Sequence, residues 1–103
     1  MANINKLMKQ AMRAQQQAQE VEAALADRTV EATSGGGAVK VVATCKGELK
    51  SVTIDKEAVD PEDVETLQDL VLTAVNNAVG EGQRIQAEEM GKVTAGFNLP
   101  GFG

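Results

Sequence analysis

The chain contains no histidine, no tryptophan and no tyrosine, and Cys45 is its single cysteine. Those gaps remove much chemistry at once. One chain cannot assemble a Cys–His metal site, and a lone thiol cannot form an internal disulfide. The usual nucleophile–base pairs also fail, because Ser34 and Ser51 have no sequence partner that would act as a base. No apolar run reaches the roughly 18 residues of a membrane span. Lys6, Lys9 and Arg13 are spread through an N-terminus that lacks the apolar core of a secretory signal, so a cytoplasmic protein is expected. Phe97 and Phe102 are the only aromatics, and both lie near the C-terminus. The core must therefore be built from Val, Leu, Ile, Ala and Met. At 103 residues the chain suits one domain, 1–103. A core this thin is marginal alone, and oligomerisation is expected to complete it.

What is present is strongly segregated. The net charge is −5, which argues against an indiscriminate nucleic-acid binder, yet residues 1–19 carry three bases and no acid. Residues 57–69 carry six acids and no base.

Ile4, Leu7, Ala11, Ala14, Ala18, Val21 and Leu25 recur at spacings of three and four. This heptad seam predicts a helix over 3–27, about 35 Å long. Residues 29–33 alternate as a short strand, Ser34–Gly37 breaks the chain, and strands follow over 38–45 and from 48 or 49 to 54. Three consecutive strands with tight turns predict an antiparallel meander. Val39, Val41, Ala43 and Cys45 share one face of the second strand. In the third, Lys50, Val52 and Ile54 are expected to oppose Leu49, Ser51 and Thr53. Asp60-Pro61-Glu62-Asp63 reads as a helix start, with Asp60 as cap and Pro61 in the first position. That helix is expected to run through Met90 and end at Gly91, and Gly80 and Gly82 within it suggest close packing or a bend. Residues 91–103 read as a loose or docked tail.

Other motifs carry less. Gly35-Gly36-Gly37 lacks the following Gly-Lys-Ser/Thr and precedes a strand, so a turn fits better than a phosphate loop. The acidic run lacks the pattern of a calcium loop. Cys45 reads as a small packed hydrophobe. No cofactor or metal is expected. Lys6, Lys9 and Arg13 are different, because they fall within an arc of about 60° away from the seam. A solvated face and a phosphate-contacting stripe are both compatible with that placement.

The order of elements, the run GGGAVKVVATCKGELKSVTID from Gly35 to Asp55, and MGKVTAGFNLPGF from Met90 to Phe102 together resemble the YbaB/EbfC family of bacterial nucleoid-associated DNA-binding proteins over nearly the whole chain. Cys45 is the one departure, standing where a polar residue or glycine is usual. The resemblance implies an α+β fold, an α-β-β-β-α protomer with a three-stranded antiparallel sheet and two long helices, and a tweezer-like homodimer. It also implies a non-enzymatic protein of the cytoplasm and nucleoid that binds double-stranded DNA, organises the chromosome and affects gene expression. On that reading Lys6, Lys9 and Arg13 are expected to contact phosphates, with Arg84 and Lys92 assisting. Lys40, Lys46 and Lys50 form a secondary candidate surface. The alternative is a protein-interaction adaptor for recombination, repair or replication proteins.

Overall fold

A computed structural model describes residues 3–95. The order is α1 (Ile4–Asp27), β1 (Thr29–Ser34), β2 (Val39–Thr44), β3 (Leu49–Ile54) and α2 (Val64–Ala95). The strands form one antiparallel sheet in the order β1-β2-β3, as the alternating runs require. The molecule is elongated, 74 × 23 × 16 Å.

The inward face of β2 is the centre. Val39, Val41 and Ala43 are fully buried and pack against Ala74 and Ala78 of α2. Cys45 continues this face into a second cluster with Leu25 of α1 and Ile85 of α2. That cluster is where the two helices and the sheet meet. Thr44, on the opposite face of β2, is also buried. Its Oγ1 accepts hydrogen bonds from the backbone N–H of Lys46 and Glu48, which closes the β2–β3 turn. At the other end of the sheet, Ser34 Oγ donates to the Leu70 carbonyl at 2.6 Å and ties β1 to α2. Gly35, Gly36 and Gly37 all have positive φ, at 60°, 68° and 99°, conformations that residues with a Cβ rarely adopt. They make a single 3-10 turn between strands, as expected for a connection rather than a ligand loop.

Two expectations need correction. Helix α2 begins at Val64, not at Pro61. Asp60 instead opens a turn: its carbonyl accepts from Asp63 N–H and its Oδ1 from Glu62 N–H. Asp63 caps the helix, with Oδ1 accepting from Thr66 N–H and Oδ2 from the Thr66 hydroxyl. The helix also passes through Gly91 to Ala95. A glycine costs about 1 kcal/mol there, but Lys92–Glu89 pairing and the Thr94 hydroxyl donating to the Met90 carbonyl tie the last turn. In the sheet, the register shifts between Val42 and Ala43, and Leu49 lies opposite Ala43. Lys50 is the extra residue of a bulge. Phe97 and Phe102 lie outside the described residues.

Gly80 and Gly82 have different reasons. A Cβ on Gly82 would sit 3.1 Å from the Thr44 carbonyl oxygen and 3.2 Å from Cys45 Cα, both backbone atoms. One on Gly80 would meet nothing within 4 Å. Gly80→Ala is therefore expected to stabilise by up to about 1 kcal/mol through helix propensity. Gly82→Ala is expected to destabilise by about 1–2 kcal/mol, because the sheet must move away. Urea unfolding of both variants at one protein concentration checks the opposite signs.

Candidate nucleic-acid interface

Helix α1 extends far past the sheet. Leu25 is buried at its inner end, Val21, Ala18 and Ala14 are half-buried, and Ala11, Leu7 and Ile4 are exposed. On α2 the matching positions are Ile85, Gln86, Glu89, Met90 and Val93, all buried or half-buried. The two helices thus run antiparallel outward from the Leu25–Cys45–Ile85 cluster, and α1 reaches further than the described part of α2. The heptad seam marked the right face, but among the described residues only its inner half is covered by α2.

The outer half of α1 carries Lys6, Lys9 and Arg13, all exposed. Their positions span roughly 10 Å of helix axis. Among the described residues none of the three has a carboxylate within ion-pair distance. Asn3 caps the helix, its Oδ1 accepting from Lys6 N–H at 3.1 Å, and the first turn holds no acid. The N-terminus of a helix carries a partial positive charge, and a cation in the first turn, here Lys6, costs about 0.3–1 kcal/mol. Lys9 and Arg13, one and two turns further in, extend the positive face along the arm.

The acids lie elsewhere. The densest run of them, residues 57–69, leads into α2 and forms its first turns, at the opposite end of that helix from the arm. Counted along the helix axes from the Leu25–Ile85 junction, the two charge poles are roughly 50 Å apart. That exceeds the Debye length of about 8–10 Å several-fold, so the acidic excess does not cancel the field at the arm's tip.

Most other bases are committed to carboxylates. Arg84 Nη2 reaches Glu81 Oε1 at 2.7 Å, and Nη1 reaches Glu88 Oε2 at 2.8 Å. The bonds from Arg84 hold the Glu81 carboxyl below its usual range, and Glu81 in turn raises the Arg84 guanidinium above its own. Lys92 pairs with Glu89 at 3.1 Å. Lys40, Lys46 and Lys50 meet Glu31, Glu22 and Glu48 at 2.8, 3.8 and 4.0 Å. The structure therefore brings Lys6, Lys9 and Arg13 together on one arm. It places Arg84 and Lys92 on α2, each with an acidic partner.

A second surface lies at the other edge of the sheet. Helix α2 covers β1 and β2 but leaves the inward side of β3 open. Val52 and Ile54, opposite Val41 and Val39 in the register, are 45% and 38% exposed. With Leu67, Val71, Leu72 and Val75 of α2, Ile54 lines an apolar groove in which Gln68 is the one polar residue. Leu72 is 59% exposed. Sequence reasoning passed over it because it falls outside the core stripe of α2. That was also the available signal: a large aliphatic residue on the wrong face.

Comparison with known proteins gives this geometry its context. The profile of the YbaB/EbfC DNA-binding family matches residues 1–97. The chain belongs to the YbaB/EbfC family. A nucleoid-associated protein of Desulforamulus reducens is 56% identical over 100 residues, covering 97% of this chain and 95% of the relative. One from Moorella thermoacetica is 51% identical over 102 residues, covering 99% and 98%. An uncharacterised Helicobacter pylori protein, HP0035, has the same fold in its crystal structure, with a TM-score of 0.80 at 21% identity, covering 91% of this chain and 99% of that one. The YbaB/EbfC family is a DNA-binding family rather than an enzyme family. Its α-β-β-β-α protomer is the architecture found here. No described helix is long and apolar enough to cross a membrane.

Proposed function

We propose that this YbaB/EbfC protein binds double-stranded DNA as a homodimer and acts in the nucleoid, organising the chromosome and affecting gene expression. The observation that carries this reading is the cationic tip of α1: Lys6, Lys9 and Arg13 lie on one face, at the positive end of a helix, with no carboxylate partner among the described residues. Lys6 lies in the first turn, where a cation opposes the helix dipole, Lys9 and Arg13 lie beyond its reach, and all three are open to an anionic partner. They recognise phosphate, which positions a protein on the duplex without reading its bases. Arg84 and Lys92 lie inboard on α2, and their carboxylate partners must be displaced before either reaches a phosphate, so their share of the binding is small.

The homodimer draws support from the groove between β3 and α2. Val52, Ile54 and Leu72 are large aliphatic residues left facing water on a chain with a thin core. A two-fold axis beside β3 would bury both copies of this patch at once. Two protomers then present two arms to one duplex.

The adaptor reading, in which the arms clasp a recombination, repair or replication protein, rests on the net charge of −5. The separation of the charge poles weakens that basis. The discriminating experiment is fluorescence anisotropy with random-sequence duplex at low salt. Saturable binding that a second random sequence reproduces supports the nucleoid role. Absence of binding, together with a stoichiometric protein partner in a pull-down, supports the adaptor.

A further inference from the structure

A second stripe runs along α1, on the side away from the seam. Lys6, Arg13, Glu20 and Asp27 stand seven residues apart, so they follow one another along the helix with a drift of about 20° per step. All four are exposed. Around the axis Glu20 lies about 20° from both Lys9 and Arg13, on the centre line of the cationic face. The stripe therefore changes sign halfway along the helix. Lys6, Lys9 and Arg13 occupy its outer half, Glu20 and Asp27 its inner half.

The two acids are not spent on the fold. Among the described residues neither carboxylate has a base within ion-pair distance, and the positions three and four residues to either side of them hold no base. Glu22, by contrast, meets Lys46 at 3.8 Å. The helix dipole does not supply the reason for this order either. It favours acids in the first turn and bases in the last, whereas Lys6 lies in the first turn of α1 and Asp27 ends the last.

What the order does is grade the potential along the arm. Arg13 and Glu20 are about 10.5 Å apart along the axis, about one Debye length at 0.1 M salt. A phosphate held at Arg13 is largely screened from Glu20. A phosphate further in meets that carboxylate at short range, where screening is slight. We infer that Glu20, seconded by Asp27, is a positioning residue that stops the duplex on the outer half of each arm and confines phosphate contacts to the span from Lys6 to Arg13. The inference deepens the DNA-binding role proposed above and rests on it. The stop also protects the root of the arm. Phosphates there would compete with Glu22 for Lys46 and with Glu89 for Arg28, the pairs that link the inner end of α1 to the β2–β3 turn and to α2.

Salt titrations on random-sequence duplex test this with Glu20→Lys and, as a control of equal charge change at the acidic pole, Glu62→Lys. Both positions are exposed and outside the buried clusters, so both variants keep their fold. Glu20→Lys is expected to tighten binding about 10-fold or more at 0.1 M salt and to steepen the log–log slope by roughly 1–2, as one new phosphate contact forms on each arm. Glu62→Lys is expected to change affinity by less than about 3-fold, being several Debye lengths from the arm. A second readout is positional. Cys45 is buried, so an introduced surface thiol takes a photo-crosslinker selectively. Ala24 is exposed, five turns from Lys6 on the same side of the helix. Crosslinking to duplex through Ala24→Cys is expected to be at least about 5-fold weaker than through Gln17→Cys, and the gap is expected to close when Glu20→Lys is added. Equal effects of Glu20→Lys and Glu62→Lys, or equal crosslinking from positions 17 and 24 with Glu20 in place, would overturn the inference and leave the DNA-binding role standing. Absence of duplex binding by the wild-type protein would overturn both.

Discussion

Lys9→Glu combined with Arg13→Glu is expected to weaken binding to random duplex DNA by on the order of 10²–10³-fold near 0.1 M salt, while the dimer persists. The size follows from symmetry. Each change occurs on both arms, so four phosphate contacts are lost, and each is replaced by a like charge. The proposed dimer is expected to persist because both positions are exposed and lie on the arm, far from the groove beside β3 and from every buried cluster. Both positions lie beyond the first helical turn, so the exchange is nearly neutral toward the helix dipole and the arm is expected to stay helical. Arg84→Ala is the matched control. That guanidinium is tied to Glu81 and Glu88, and its loss is expected to change DNA affinity by no more than about 3-fold at the same salt. Anisotropy titrations with sedimentation on the same samples test both points. If Arg84→Ala weakened binding more than the double reversal did, the site would belong on α2 and not on the tip of α1.

The second large effect concerns the groove. Val52→Glu with Leu72→Glu is expected to raise the dimer dissociation constant by on the order of 10³-fold or more. Both side chains face water in the protomer, at 45% and 59% exposure, so the protomer itself has no reason to unfold. In a two-fold interface each substitution occurs in both copies, so four carboxylates would be desolvated, and an unpaired buried charge costs several kcal/mol. The neighbouring groove residue Gln68 offers only an amide, which cannot neutralise it. The same variant should bind DNA far more weakly, since a single arm loses the avidity of two. Helical content by circular dichroism is expected to stay near wild type. Analytical ultracentrifugation that found an intact dimer would place the interface elsewhere.

Much of this architecture is legible in the sequence because its signals are local. The inner half of the seam, from Ala14 to Leu25, and the alternation of Val39, Val41, Ala43 and Cys45 lead to the correct buried faces, while Ile4, Leu7 and Ala11 on the same stripe are exposed. The errors arise where two local solutions are chemically alike. Asp60 and Asp63 can each cap a helix, and only the turn that Asp60 makes with Glu62 and Asp63 decides between them. The Lys50 bulge depends on register with β2, which no single strand encodes. For the candidate site, the basic stripe is visible but its partners are not all so. Lys46 meets Glu22, and Arg28 meets Glu89, across the fold. The pairings of Arg84 and Lys92 are exceptions, because Glu81, Glu88 and Glu89 stand three or four residues away, a spacing that already predicts ion pairs on a helix. The open groove beside β3 required knowing which strands α2 covers, and that is a tertiary fact.

The central claim is that two basic arms hold duplex DNA through its phosphates. Its most direct test is the slope of log affinity against log salt for the wild-type dimer on random-sequence duplex. Three cations on each of two arms set a ceiling near −5, and a slope between about −3 and −5 is expected, unchanged on a second unrelated sequence. A slope shallower than about −1 would contradict the account, because binding would then owe little to phosphate contacts.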